Sequence, residues 1–187
     1  MRCTHRAAGF LVDSEQAQAL GADAGLAEAL LVHEADGSLE LGLYLAPDVL
    51  AGCPSGALGP FCQLAEGVSH FLYLARSVEL ARPVSLLELE AQAEVDKFAL
   101  LLLRSWSGGR EGWAAVLHRR LFEETSLRPG LSALEERRYG EANRLARAFC
   151  ARLLPLIAAR RLEQLLQVLR YAYRLGAVAK LEHFAGS

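Results

Sequence analysis

The sequence predicts a mainly α protein of the α+β class, a bundle-like helical body carrying a small N-terminal β-hairpin or three-stranded antiparallel sheet. Three observations predict it. Leu39, Leu41, Leu43 and Leu45 alternate with Glu40, Gly42 and Tyr44, the period of two that belongs to a half-buried strand. After residue 59, apolar residues recur at spacings of three and four, as they do on one face of a helix. Two Ser-x-x-Glu sequences, Ser85 with Glu88 and Ser132 with Glu135, have the pattern of a capping box, in which hydroxyl and carboxylate each satisfy one orphan N–H of a first helical turn.

The N-terminal part, 1–58, holds the β-structure. "ALLVHE" precedes the alternating leucines, and Asp36-Gly37 between them supplies the positive φ angles of a tight turn, so a hairpin is expected over 29–45. "GFLV" at 9–12 would add a third strand, because an isolated hairpin is marginal without more strands or a helix against it. Asp13 is placed to cap a short helix running to about Gly21.

The helical body, 59–187, begins at Pro60, a residue suited to the first helical position. Phe61, Leu64, Val68, Phe71, Leu72 and Ala75 mark one apolar face to about Glu79, and Arg82-Pro83 breaks it. Ser85 opens a helix to about Arg104. "SWSGGREGW" is a polar, glycine-rich connection to a shorter helix carrying Trp113, Val116, Leu117 and Leu121. Pro129-Gly130 turns the chain, Ser132 starts a long helix with a stripe of Ala142, Leu145, Ala146, Phe149 and Leu153, and Pro155 should kink or divide it by removing a backbone N–H. A last helix with Leu162, Leu165, Leu166 and Leu169 is expected to end near Gly176. The whole reads as one domain, 1–187, with a small α/β part built onto a helical body.

At 187 residues, of which 52% are hydrophobic and 22% charged, the chain has more apolar surface than one small core absorbs. The surplus points to a subunit interface, since obligate interfaces resemble a core cut in half, or to an internal ligand cavity. The longest wholly apolar run, Phe98 to Leu103, is far short of the ~20 residues that span a bilayer, so no membrane association is expected. Asp13 interrupts the first apolar run before it resembles a signal peptide. Cys3, Cys53, Cys62 and Cys150 form no C-x-x-C pair, which fits a reducing cytoplasm. Arginine outnumbers lysine 18 to 2, a composition expected of a GC-rich bacterial genome. Residues 1–100 hold 14 acids and 5 bases, a net −9, whereas 137–187 hold 3 acids and 10 bases, a net +7. The polarity suits docking of basic on acidic surface, within a molecule or between copies.

The segment "LELEAQAEVDKFALLLL", 87–103, carries the candidate chemistry. On a helical wheel Leu87, Ala91, Val95, Phe98 and Leu102 form one apolar face, and Leu86, Leu89, Ala93 and Leu100 a second. Between them run Glu88, Gln92 and Asp96 on one line and Glu90, Glu94 and Lys97 on the other. A helix with two apolar faces is central, so its charges lie in seams. If this helix forms a hairpin with the preceding one, His70 falls level with Glu94. Glu66-x3-His70 and Glu90-x3-Glu94 each put two ligands on one side of a helix, and the four would suit a divalent metal such as Zn²⁺, Mn²⁺ or iron. No cofactor is otherwise implied. The ordinary alternative has Glu66 and His70 facing water and Glu94 paired with Lys97. The di-iron bundle motif is also absent, since it uses Glu-x-x-His and repeats it.

Gly108, Gly109 and Arg110 precede a helix and would offer N–H groups and a guanidinium to an anion, although they lack the Gly-Lys-Ser/Thr ending of a P-loop and read equally as a flexible connection. Cys62 and Cys150 lie on apolar helices as small core residues do. His118 with Arg119 and Arg120, and further Arg137, Arg138, Arg144, Arg147, Arg160 and Arg161, form a basic set able to track phosphates, but sparse aromatics leave no stacking platform, so nucleic acid is not favoured. The reading that results is an intracellular, non-enzymatic interaction or regulatory module that binds another protein or itself as a homo-oligomer. Its alternatives are a metal-dependent enzyme or metal-binding protein using the Glu/His set, and nucleic-acid binding through the arginine-rich C-terminal part.

Overall fold

The computed structural model describes residues 10–23, 25–35, 38–108 and 112–186. The chain is mainly helical with a small mixed sheet, and it forms two compact units, Met1–Pro83 and Val84–Ser187.

In the first unit β1 (Leu11–Val12), α1 (Ser14–Ala19), β2 (Glu28–Ala35), β3 (Ser38–Leu45), α2 (Pro47–Gly52) and α3 (Leu58–Glu79) follow in order, with a 3-10 turn at Cys53–Ser55 after α2. The hairpin forms as its alternation requires: β2 and β3 pair antiparallel from Glu28↔Leu45 to Ala35↔Ser38. Its Asp36-Gly37 turn lies outside the described residues. The third strand is present but pairs parallel, Leu11 with Leu43 and Val12 with Tyr44, giving the order β1-β3-β2. That corrects the expected antiparallel sheet. A strand connected through a helix is not held to antiparallel pairing by a tight turn, and β3 had a free edge opposite β2. Asp13 caps α1 through a complete capping box with Gln16.

Leu41, Leu43 and Leu45 point to one face of the sheet and pack with Phe71 and Ala75 of α3, joined by Phe10, Leu30, Leu64, Val68 and Leu74. Gly67 makes this approach possible, since a Cβ there would stand 3.1 Å from Leu43 Cδ1 and 3.3 Å from Leu45 Cδ2. α3 packs on the sheet and so belongs with it to the first compact unit, Met1–Pro83. Pro60 is the third residue of α3, not the first. All first-turn N–H groups lack helical acceptors, so proline is tolerated there as well.

The second unit contains α4 (Leu86–Arg104), α5 (Trp113–Phe122), α6 (Ala133–Ala158), α7 (Leu162–Arg174) and α8 (Ala177–Ala185). Ser85 Oγ accepts from the Glu88 N–H at 3.1 Å, and Ser132 with Glu135 forms both halves of its box. α6 is the axis of the unit, packed by α4, α5, α7 and α8. Buried Ala91 and Ala93 on α4 and Ala142 and Ala146 on α6 keep these helices slim where they are covered. The rings of Phe149 on α6 and Phe184 on α8 stack at 4.7 Å. Pro155 does not divide α6, which continues to Ala158. So near a C-terminus the missing N–H forfeits one ladder bond, and the break comes instead at Arg160, with φ +56°. α8 was not expected from the sequence; it begins just beyond Gly176, where the preceding helix was expected to end.

Candidate functional site

The residues of the proposed metal set are divided between the units. In the first, Glu66 and His70 stand one turn apart on α3. His70 is only 7% exposed, and Ser69, Tyr73 and Ser77 are buried too, so the expectation that His70 faces water does not hold. The guanidinium of Arg82 donates to Tyr73 Oη at 2.5 Å and Ser77 Oγ at 3.2 Å, and it lies over the Tyr73 ring, 5.1 Å from its centre.

In the second unit much of α4 is buried, Glu88, Glu90, Gln92 and Lys97 with it, but its expected second apolar face is only partly covered: Ala93 is buried, whereas Leu86 and Leu100 are exposed. Glu94 pairs with Lys97 at 2.7 Å, the i,i+3 bridge the sequence allowed. Arg138 on α6 approaches Glu90 at 3.6 Å and lies over the Tyr139 ring. Burial, with the Glu90 carboxylate adding, raises the Tyr139 phenol. On the other line, fully buried Lys180 of α8 donates to Gln92 Oε1 at 2.5 Å and to the Tyr173 carbonyl at 3.2 Å, while Gln92 donates to Asp96 at 2.9 Å. The chain has two lysines against 18 arginines, and both are buried against α4 residues. The compact ammonium on a flexible stem fits these sites where a planar guanidinium would not. Cys150 is enclosed nearby: burial, then the Glu94 and Asp96 charges, push its thiol well up, so it stays protonated and unreactive.

The arginine set is largely engaged by carboxylates of its own unit. Arg119 pairs with Glu124 at 2.7 Å, Arg144 with Glu141 at 2.7 Å, Arg147 with Glu123 at 2.9 Å and Arg138 with Glu90 at 3.6 Å. Arg120 and Arg137 lie on α5 and α6. His118 is not part of an exposed basic cluster; it is buried, edge-on to Phe98, with Nε2 3.0 Å from the Arg147 carbonyl.

Of the glycine-arginine loop, Gly108 is in a turn, while Gly109 and Arg110 lie outside the described residues. The flanks of this loop border a cavity of about 350 Å³ between α4, α5 and the end of α6. Trp106 and Trp113 line it with Leu102, Leu154 and Ile157, and Ser105 and Arg160 contribute its polar groups. These are the only two tryptophans of the chain. Arg160 donates to the Trp106 carbonyl, and its guanidinium lies 5.7 Å from the centre of the Trp106 ring. The indole N–H of Trp113 is buried with no hydrogen-bond partner among the described residues.

No family model, curated protein or solved structure matches the chain. The chemistry is therefore read from the cavity itself. Its volume lies within the usual range of small-molecule sites, and its make-up, apolar walls with a few polar groups, is theirs as well. At about 30 Å³ per water molecule it matches on the order of ten non-hydrogen atoms. The sequence places Trp113 on the apolar face of a helix and Arg160 among arginines able to track phosphates, and does not bring them together with Trp106. The signal available was the pair of tryptophans bracketing a glycine-rich loop. Arg160, 47 positions beyond Trp113 by numbering, gives no sign of joining them, because only the turn after α6 brings it there.

Among the described residues, no helix is long and apolar enough to cross a membrane.

Proposed function

We propose that the second unit is a binding module for a small amphipathic molecule held in the tryptophan cavity. The observation that supports this most is that both tryptophans of the chain line one cavity of about 350 Å³. Tryptophan gives a large, rigid contact surface and a polar N–H at one edge, the combination that orders an amphipathic guest. The apolar surplus in the composition accords with an internal cavity. Among the described residues Cys53, Cys62 and Cys150 form no disulfide, which accords with action in the cytoplasm.

Intrinsic fluorescence tests the reading without a label, because all indole emission arises at the cavity. Titration with 1-octanol should shift the emission saturably, and replacing Leu154 by Trp to fill the space should abolish the response. An unsaturable response equal in both proteins contradicts the proposal.

A second reading, self-association, is favoured by an open groove of about 600 Å³ formed by Leu86, Leu87 and Gly140 with Leu134, Arg137, Arg138 and Glu141. Leu86 is 60% exposed and Leu134 72%. The patch joins apolar surface to charges of both signs, as a twofold interface requires of a surface that meets itself. Sedimentation velocity should show a dimer that Leu86→Glu with Leu134→Glu converts to monomer; a monomeric wild type overturns this reading.

A further inference from the structure

We infer that the guest of the tryptophan cavity is an amphipathic monocarboxylate, its head at Arg160 and its apolar body against Trp113 and the aliphatic wall. The inference rests on the binding reading above and adds the chemistry of the ligand.

Arg160 occupies the residue after the cap of α6 with φ +56°. Its N–H bonds the Ile157 carbonyl at 3.0 Å, and the next N–H bonds Leu156 at 2.9 Å. This is the Schellman arrangement, whose left-handed position glycine fills at no steric cost. An L side chain there is strained, and strain of this kind gathers where a side chain has work to do. The strained residue is the one that brings a permanent positive charge to the cavity, and the Trp106 carbonyl and ring fix its direction. A guanidinium is planar and matches a carboxylate edge to edge.

One further observation agrees. No carboxylate side chain is among the described residues that line the cavity. The first turn of α5 borders the same space and has no side-chain cap, Gly112 preceding it at φ +78°; its N–H groups add to the positive potential without being the basis of the proposal. One guanidinium suits a single negative charge rather than a phosphate dianion. With room for on the order of ten non-hydrogen atoms, octanoate is a fitting probe and 1-octanol its uncharged counterpart.

Calorimetry of wild type and Arg160→Gln with both probes, and with octyl phosphate, tests the inference. Wild type should bind octanoate at least tenfold more tightly than octanol and more tightly than octyl phosphate. In Arg160→Gln the preference over octanol should fall below threefold with octanol affinity unchanged. Arg160→Gly, which suits the backbone, is the second variant and should behave alike. Equal binding of octanoate and octanol by wild type, a preference that survives both substitutions, or a preference for the phosphate overturns the inference while leaving the cavity reading intact. Binding of none of the three overturns both.

Discussion

The C-terminal ends of α3 and α6 close with the same backbone turn and carry an arginine in different places. At the end of α3, Ala81 takes φ +50°, its N–H bonds Val78 at 3.0 Å, and the Arg82 N–H bonds Ser77 at 2.9 Å. At the end of α6 the same pair of bonds surrounds Arg160. Ala81 and Arg160 are the two residues other than glycine with positive φ among the described residues. In the first unit the arginine follows the strained position and folds back on its own helix, against Tyr73 and Ser77. In the second it occupies the strained position and reaches away, to Trp106 and the cavity. One turn thus secures the fold locally, and the other aims a charge. Conformational strain alone does not mark a functional residue; the destination of the side chain does.

Substitutions should separate the two turns. The largest effect on stability is expected from Arg82→Met, which removes charge-assisted bonds to two buried hydroxyls and should cost about 2 kcal/mol, measured as a lower urea midpoint, with octanoate binding unchanged. Next comes Arg160→Gly. Its loss of octanoate affinity, about threefold or more, corresponds to at least about 0.7 kcal/mol, whereas its stability should change by less than about 0.5 kcal/mol, because relief of the left-handed strain offsets the greater freedom of glycine in the unfolded chain. Ala81→Gly should raise stability by about 0.5 kcal/mol for the same reasons and leave binding untouched. If Arg160→Gly instead destabilises as Arg82→Met does, the two turns serve one purpose and the contrast fails.

The smallest effect is a pH dependence near the C-terminus. Burial, then the neighbouring Arg152 charge, hold the His183 imidazole below its usual value. Arg152 also donates to the Phe184 carbonyl at 3.2 Å, so the two groups share one end of α8. The unfolded chain therefore takes up the proton at higher pH than the folded one, and protonation favours unfolding. Stability from this group is complete above about pH 6.5, the unfolded value, and declines as pH falls through the folded value. Melting temperatures between pH 8 and pH 5 should show the decline, and His183→Asn should flatten it.

Much of the secondary structure was legible because its signals are local. The leucine alternation at 41, 43 and 45 gave β3, and Asp13, Ser85 and Ser132 marked helix starts where caps indeed form. The burial of polar residues along α4 followed only in part from its two apolar faces, since Leu86 and Leu100 of the second face are exposed. What escaped was set by tertiary placement. The parallel pairing of β1 depends on which sheet edge is open, and α8 on a break at Leu175 and Gly176 that the sequence shows only as an ending. Among the candidate residues, Glu94 found Lys97 by proximity in sequence, while Arg138 reached Glu90 from another helix. The cavity was least legible: its two tryptophans were visible, but the cationic group opposite them arrives from the far end of α6.

The central claim is that the tryptophan cavity takes up an amphipathic carboxylate, and the two indole N–H resonances of ¹⁵N-labelled protein report on it most directly. On addition of octanoate both should move together and saturate, and in Arg160→Gln the same movement should need at least about threefold more octanoate. Two indole resonances that stay in place up to millimolar octanoate, while the protein remains folded, would contradict the account.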